Sequence, residues 1–171
     1  MIKKAPWLLI ALLVVVSACG YSFRGGSNNL PGDVKTVAIP TFANRTTELR
    51  IDSILTDDVI YQFTRSGMLK VVSLDKADAV LHGAITSIYV SDVALTTSDT
   101  SRQRRVIVTI SAKLVRTRDK KVLWKGKSLS EFRSYSVAND PVADEAAKQA
   151  AMGEAAEELA QTLHDRIFEN F

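Results

Sequence analysis

The stretch RVIVTISAKLVR, residues 105–116, constrains this chain more than any other. In an extended backbone Val106, Val108, Ile110, Ala112 and Leu114 fall on one side, and Thr109, Ser111 and Lys113 on the other. This period-two alternation predicts a strand with one dry and one wet face, which needs a neighbouring strand and a single covering layer. The neighbour follows directly. After a turn at TRDKK, the stretch VLWKGKSLSEFRSY places Val122, Trp124 and Phe132 on one side and Lys125, Lys127, Glu131 and Arg133 on the other. The two stretches are expected to pair as an antiparallel hairpin.

The other elements are arranged around that hairpin. VKTVAIP (34–40) reads as a strand closed by Pro40, MLKVVSL (68–74) as a short strand, and residues 78–95 as a long strand with a break expected at Gly83. Between the first two, Ile51, Ile54, Leu55, Val59 and Phe63 recur at helical spacing. Asn44, Thr46 or Thr47 is expected to cap that helix, with Glu48 and Asp52 near its positive end and Gly67 as its stop. A last helix begins after Asp140, an N-cap residue followed by Pro141, and carries the stripe Met152, Ala156, Leu159, Leu163 and Ile167. The order β, α, four β, α predicts an α+β fold. Two helices pack on one face of a mixed, mainly antiparallel sheet in a two-layer sandwich.

Ahead of this domain the chain reads as an export signal. Lys3 and Lys4 precede an apolar run from Trp7 to Val16, too short to span a bilayer, and Val16-Ser17-Ala18-Cys19 is similar to a bacterial lipobox. The expected division is a cleaved lipoprotein signal peptide over 1–18, a lipidated N-terminus and tether over 19–33, and a single domain over 34–171. Cys19 is the expected acylation point. As the only cysteine, it also excludes any intramolecular disulfide. Several acyl chains on one residue anchor firmly where a single chain anchors weakly. In the bacterial lipoproteins that this stretch resembles, the absence of Asp after the cysteine favours the outer membrane, so with Gly20 after Cys19 a lipid-anchored outer-membrane location is expected.

Catalytic and cofactor chemistry find no foothold. The sequence has no G-x-S-x-G, no Walker loop and no G-x-G-x-x-G, and its two histidines, His82 and His164, have neither cysteine partners nor H-x-x-x-H spacing. We therefore expect no enzyme activity, no metal and no cofactor, and read both histidines as structural or solvated. Lys3 and Lys4 leave with the signal, so the mature chain holds 20 basic against 19 acidic side chains, which gives no nucleic-acid footprint.

Charge is nevertheless segregated. From Arg102 to Arg133 there are eleven Lys or Arg against Asp119 and Glu131, while from Asp140 to Phe171 there are eight acids against Lys148 and Arg166. Lys113, Lys125, Lys127 and Arg133 are expected on the wet sheet face, with Arg102, Arg104 and Arg105 at one strand's entry. Such a cluster suits a multivalent anion such as a phosphorylated ligand.

The lipobox with CGYSF (19–23), then Leu30-Pro31, VAIPTFANRT (37–46), the amphipathic helix and ADAVLHGAITSI (77–88) together resemble the LptE family of lipopolysaccharide-assembly lipoproteins. The resemblance implies a lipoprotein that sits in the lumen of an LptD-like outer-membrane β-barrel. There it would plug the barrel, assist its assembly and bind lipopolysaccharide during delivery to the cell surface. It points to Arg102 and Arg104 as binding residues. Where the family carries a second basic position near the last helix, this chain has Val137-Ala138-Asn139-Asp140. VAIPTFANRT also resembles lipoproteins that activate peptidoglycan synthases or secrete curli, so a periplasmic regulator or secretion accessory is the competing reading.

Overall fold

The hairpin and its upstream neighbour are the three long strands of the protein: β4 (Ala79–Asp92), β5 (Gln103–Arg116) and β6 (Val122–Ser136), each antiparallel to the next. The computed structural model describes residues 30–93 and 102–169. Three short strands complete a six-stranded sheet: β1 (Thr36–Ala38), β2 (Ala43–Asn44) and β3 (Lys70–Val71). β1 runs parallel to both β3 and β4, and β2 pairs parallel with β4, giving the order β3-β1-β4-β5-β6 with β2 beside β4. Two helices, α1 (Ile51–Ser66) and α2 (Pro141–Phe168), cover one face. The fold is the α+β sandwich that the sequence predicts.

The core lies between that face and the helices. All five dry-face residues of β5 are buried, four of them completely, and so is the α2 stripe Met152, Ala156, Leu159, Leu163 and Ile167. Ala151, Ala155 and Ala160 are buried with it, and such small side chains let the helix axis come close to the strands at crystal-like packing density. The α2 start is as expected: Asp140 Oδ2 accepts the Ala143 amide at 2.9 Å, and Pro141 opens the helix.

The start of α1 differs from expectation. Arg50, in the left-handed region at φ 67°, precedes Ile51 and gives no side-chain cap. Asn44 instead closes a local turn, accepting from the Thr46 amide (2.9 Å) and hydroxyl (2.8 Å) and donating to the Glu48 carbonyl (2.7 Å). The helix is tied to the preceding loop by buried Thr56, whose hydroxyl accepts the Phe42 amide at 3.0 Å and donates to the Asp52 carbonyl at 2.6 Å. Gly67 stops α1 at φ 64°, as predicted.

Gly83 does not break β4. It is glycine because the Phe42 ring lies where a Cβ would stand. The irregularity comes three residues later, where Thr86 is an extra residue between the pairs Ile85–Ile110 and Ser87–Thr109. The Thr86 hydroxyl donates to the Thr109 carbonyl at 3.1 Å across this bulge.

The folded region also begins before residue 34. Leu30 is buried in the main core, and Asp33 pairs with Arg116 (3.3 Å) and Arg118 (2.9 Å) at the far end of β5.

Two stability predictions follow from these contacts. Gly83→Ala forces the Phe42 ring aside and is expected to cost about 1–3 kcal/mol in denaturant unfolding. Asp78 takes the Thr36 hydroxyl (2.8 Å) and the Lys35 and Thr36 amides (both 3.0 Å), and these bonds hold its carboxyl below the usual range. Their stabilisation is present above the ordinary carboxylate pKa and is lost as pH falls through the lowered native one. Asp78→Ala should therefore cost about 1 kcal/mol at neutral pH, and its unfolding curve should approach the wild-type curve below about pH 4.

Candidate anion-binding face

Both helices pack on one side, and among the described residues no element covers the other face of β4, β5 and β6. Register decides which side chains reach it, since directly paired residues on neighbouring strands share a face. His82, Lys113 and Lys125 pair in one row across the three strands, next to the row Leu81, Leu114 and Trp124, which faces the core with the first two fully buried and Trp124 partly so. They rim a groove of about 490 Å³ together with Arg45 and Lys127, over a floor of small residues including Ala84, Ser111 and Gly126. No acid lines it. Among the described residues, none of Arg45, Lys113, Lys125 and Lys127 has a carboxylate within ion-pair distance, whereas other sheet cations do.

Three of the seven predicted cations, Lys113, Lys125 and Lys127, thus meet in one place. Arg133 does not join them, which corrects the expected wet face. On β6, Lys127 and Ser128 together oppose Ser111, between the pairs Ala112–Gly126 and Ile110–Leu129. This extra residue shifts the alternation by one, so beyond it the odd-numbered side chains turn toward the helices. Arg133 accordingly pairs with Glu158 and Glu154 of α2, and Glu131 accepts from Thr162. Phe132 is turned outward beside Ile107. A further shift at Leu123 puts Val122 on the open face with Val115, while Trp124 stays with Leu114 on the helix side.

The arginines at the strand's entry also separate. Arg104 faces the helices and bonds Asp92 (3.1 Å) and Asp144 of α2 (3.4 Å). Hydrogen bonds to Asp92 and then to Tyr135 raise its pKa. Arg105 is on the open face, its guanidinium 4.3 Å from the centre of the Phe132 ring. Arg102 is exposed at the start of β5, beside Asp92 and Val93. Lys113 lies nine residues along β5 from Arg104, about 30 Å away. Cys19 and Ser98 to Ser101 lie outside the described residues.

Sequence reasoning missed two groove residues. Arg45 arrives because β2 pairs with β4 and the Arg45 amide donates to the Ile85 carbonyl at 3.1 Å. His82, read as structural or solvated, is exposed in the lysine row. The β4–β5 register sets it beside Lys113, which the sequence does not show. His164 is packed between Phe63 (5.3 Å between ring centres) and Phe168 (4.7 Å). Among the described residues no group of three or more His, Cys, Asp or Glu could hold a metal, and no helix is long and apolar enough to cross a membrane.

Fold and site together define a two-layer α+β domain with an exposed, cationic sheet face. Residues 34–167 match the family described as LptE, lipopolysaccharide-assembly, and the chain belongs to that family. No curated protein gives a significant sequence match. Among solved structures, a hypothetical protein of Chlamydia trachomatis superposes with a TM-score of 0.54 at 12% identity, covering 78% of this chain and 95% of that one. A Xanthomonas campestris protein gives 0.51 at 15%, covering 76% and 81%. The rare lipoprotein B of Shewanella oneidensis gives 0.49 at 11%, covering 76% and 92%. At these identities the first two likenesses are of fold.

The different environments of the cations can be separated by substitution. Arg133→Ala removes an α2 contact of up to about 1 kcal/mol, so it should lower the melting temperature. Retention of a polyanion such as heparin should stay within about twofold of wild type, measured on an affinity column.

Proposed function

We propose that this protein is a non-catalytic, lipid-anchored outer-membrane lipoprotein that binds lipopolysaccharide on its open sheet face and seats in an LptD-like β-barrel. In this reading residues 1–18 are removed, Cys19 carries the acyl chains, and the chain from there to the domain is a tether. The barrel is plugged, and its assembly assisted, by the sandwich.

The observation that carries the ligand assignment is the groove, where Arg45, Lys113, Lys125 and Lys127 gather with no carboxylate among its lining residues. Lipopolysaccharide presents clustered phosphates, and a rigid sheet holding several cations at strand spacing binds such an anion without ordering loops first. Arg104 is already engaged by Asp92 and Asp144. We therefore place the main phosphate contacts at Lys113, Lys125 and Lys127, with Arg102 and Arg105 as outlying contacts. Membership of the family supports the barrel partner over a peptidoglycan or curli accessory.

Lys113→Glu with Lys125→Glu is expected to weaken lipopolysaccharide binding at least about tenfold while the protein stays folded. Binding of the wild type should also weaken as salt is raised. Unchanged affinity in the double variant would remove the groove from the mechanism. Purification of the intact lipoprotein from solubilised outer membrane should bring down a large β-barrel, and recovery of murein enzymes alone would favour the accessory reading. Mass spectrometry should find acyl chains on Cys19.

A further inference from the structure

The open face changes character away from the groove. Tyr89, Ile107 and Phe132 stand side by side in register on β4, β5 and β6. Tyr89 is 63% and Phe132 48% exposed, although both sit inside long strands. Their direction is fixed by their neighbours: Ile88 and Val90 pack on the core, and Glu131 and Arg133 bond α2. The two rings are two strand spacings apart, about 10 Å. A row of hydroxyls flanks them on each side: Ser87, Thr109 and Ser130 on one, Ser91 and Ser134 with Arg105 on the other. Thr109 and Ser130 are bonded to each other at 2.9 Å. The Arg105 guanidinium lies on Phe132, and its Nε is buried without a hydrogen-bond partner.

Exposed aromatic side chains on a flat, otherwise polar sheet mark a binding surface. This one suits a particular chemistry. A sugar ring offers an apolar C–H face, which lies on an aromatic ring, and a rim of hydroxyls, which bond to Ser, Thr and Arg side chains. A fatty acyl chain would need a closed apolar groove, and the polar rows on both sides of Tyr89, Ile107 and Phe132 do not provide one. The strip is also continuous with the cationic groove, since the Thr109–Ser130 row leads to Ser111 and Lys113 along β5, about 20 Å from Ile107.

We infer that Tyr89, Ile107 and Phe132, with Arg105, form a saccharide platform that takes the core sugars of the lipopolysaccharide whose phosphates the groove holds. The identity of the glycan rests on the proposed function; the platform itself rests on the aromatic row.

Three probes separate the two sites in the intact lipoprotein: lipopolysaccharide with its core oligosaccharide, lipopolysaccharide lacking it, and dephosphorylated, lipid-free core oligosaccharide. Tyr89→Ala with Phe132→Ala should lose about tenfold in affinity for the first and third probes and bind the second as wild type does. Tyr89→Ala alone, which leaves Arg105 on its ring, should lose part of this, and Tyr89→Phe little. Lys113→Glu with Lys125→Glu should show the opposite pattern, losing the first two probes and keeping the third. Wild type that binds the first and third probes but not the second would sink the groove reading and uphold the platform. The platform is overturned if wild type does not bind the lipid-free oligosaccharide. It is equally overturned if the aromatic double variant binds every probe normally or loses all three alike.

Discussion

Burial of β5 under α2 is the interaction on which the rest of the molecule depends. Val106, Val108, Ile110 and Leu114 reach zero exposure in the same core that buries Met152, Leu159 and Leu163 of α2 beside its alanine-rich flank. Burying each large apolar side chain contributes on the order of 1.5–3 kcal/mol, and the contacts recur along the length of the strand. Since α1 packs on the same side, the burial is one-sided, and the opposite face of the sheet is left for polar and charged residues. In this fold the packed core and the exposed cations are assigned to opposite surfaces of the same strands.

Electrostatics follow the same division. The basic hairpin and the acidic last helix are complementary, and part of that complementarity is used internally: Arg104 meets Asp144, and Arg133 meets Glu154 and Glu158. Exposed pairs of this kind add little to stability, but they fix the helix relative to the strands and remove those arginines from the pool available to an anion. Among the described residues, the group around Lys113 and Lys125 on the open face has no carboxylate within ion-pair distance.

The layers, the course of α2, the dry side of β5 and the end of α1 at Gly67 were legible in the sequence, because each depends on local periodicity or on one residue's backbone preference. The membership of the site was legible only in part. Lys113 and Lys125 fall on the open face as expected, since alternation is unbroken along β5 and holds on β6 between Trp124 and Lys127. Arg133 was misplaced, and Phe132 with it, because no residue in KSLSEF announces an added position in the strand. Arg45 depends on the pairing of a two-residue strand, which has no periodicity to read. The α1 cap failed for a different reason: Asn44 and Thr46 satisfy each other in a turn, leaving the helix to begin after Arg50.

The irregularity at Lys127 and Ser128 has a consequence for how such a surface changes over time. Downstream of it, side-chain polarity is read in one frame by the helix and in the other by solvent. Loss of a single codon there would exchange the two: Phe132 would move inward, and Arg133 would be handed to the exterior. Variation in length at this one point, without any substitution, can therefore exchange Ser130, Phe132 and Ser134 on the open face for Leu129, Glu131, Arg133 and Tyr135.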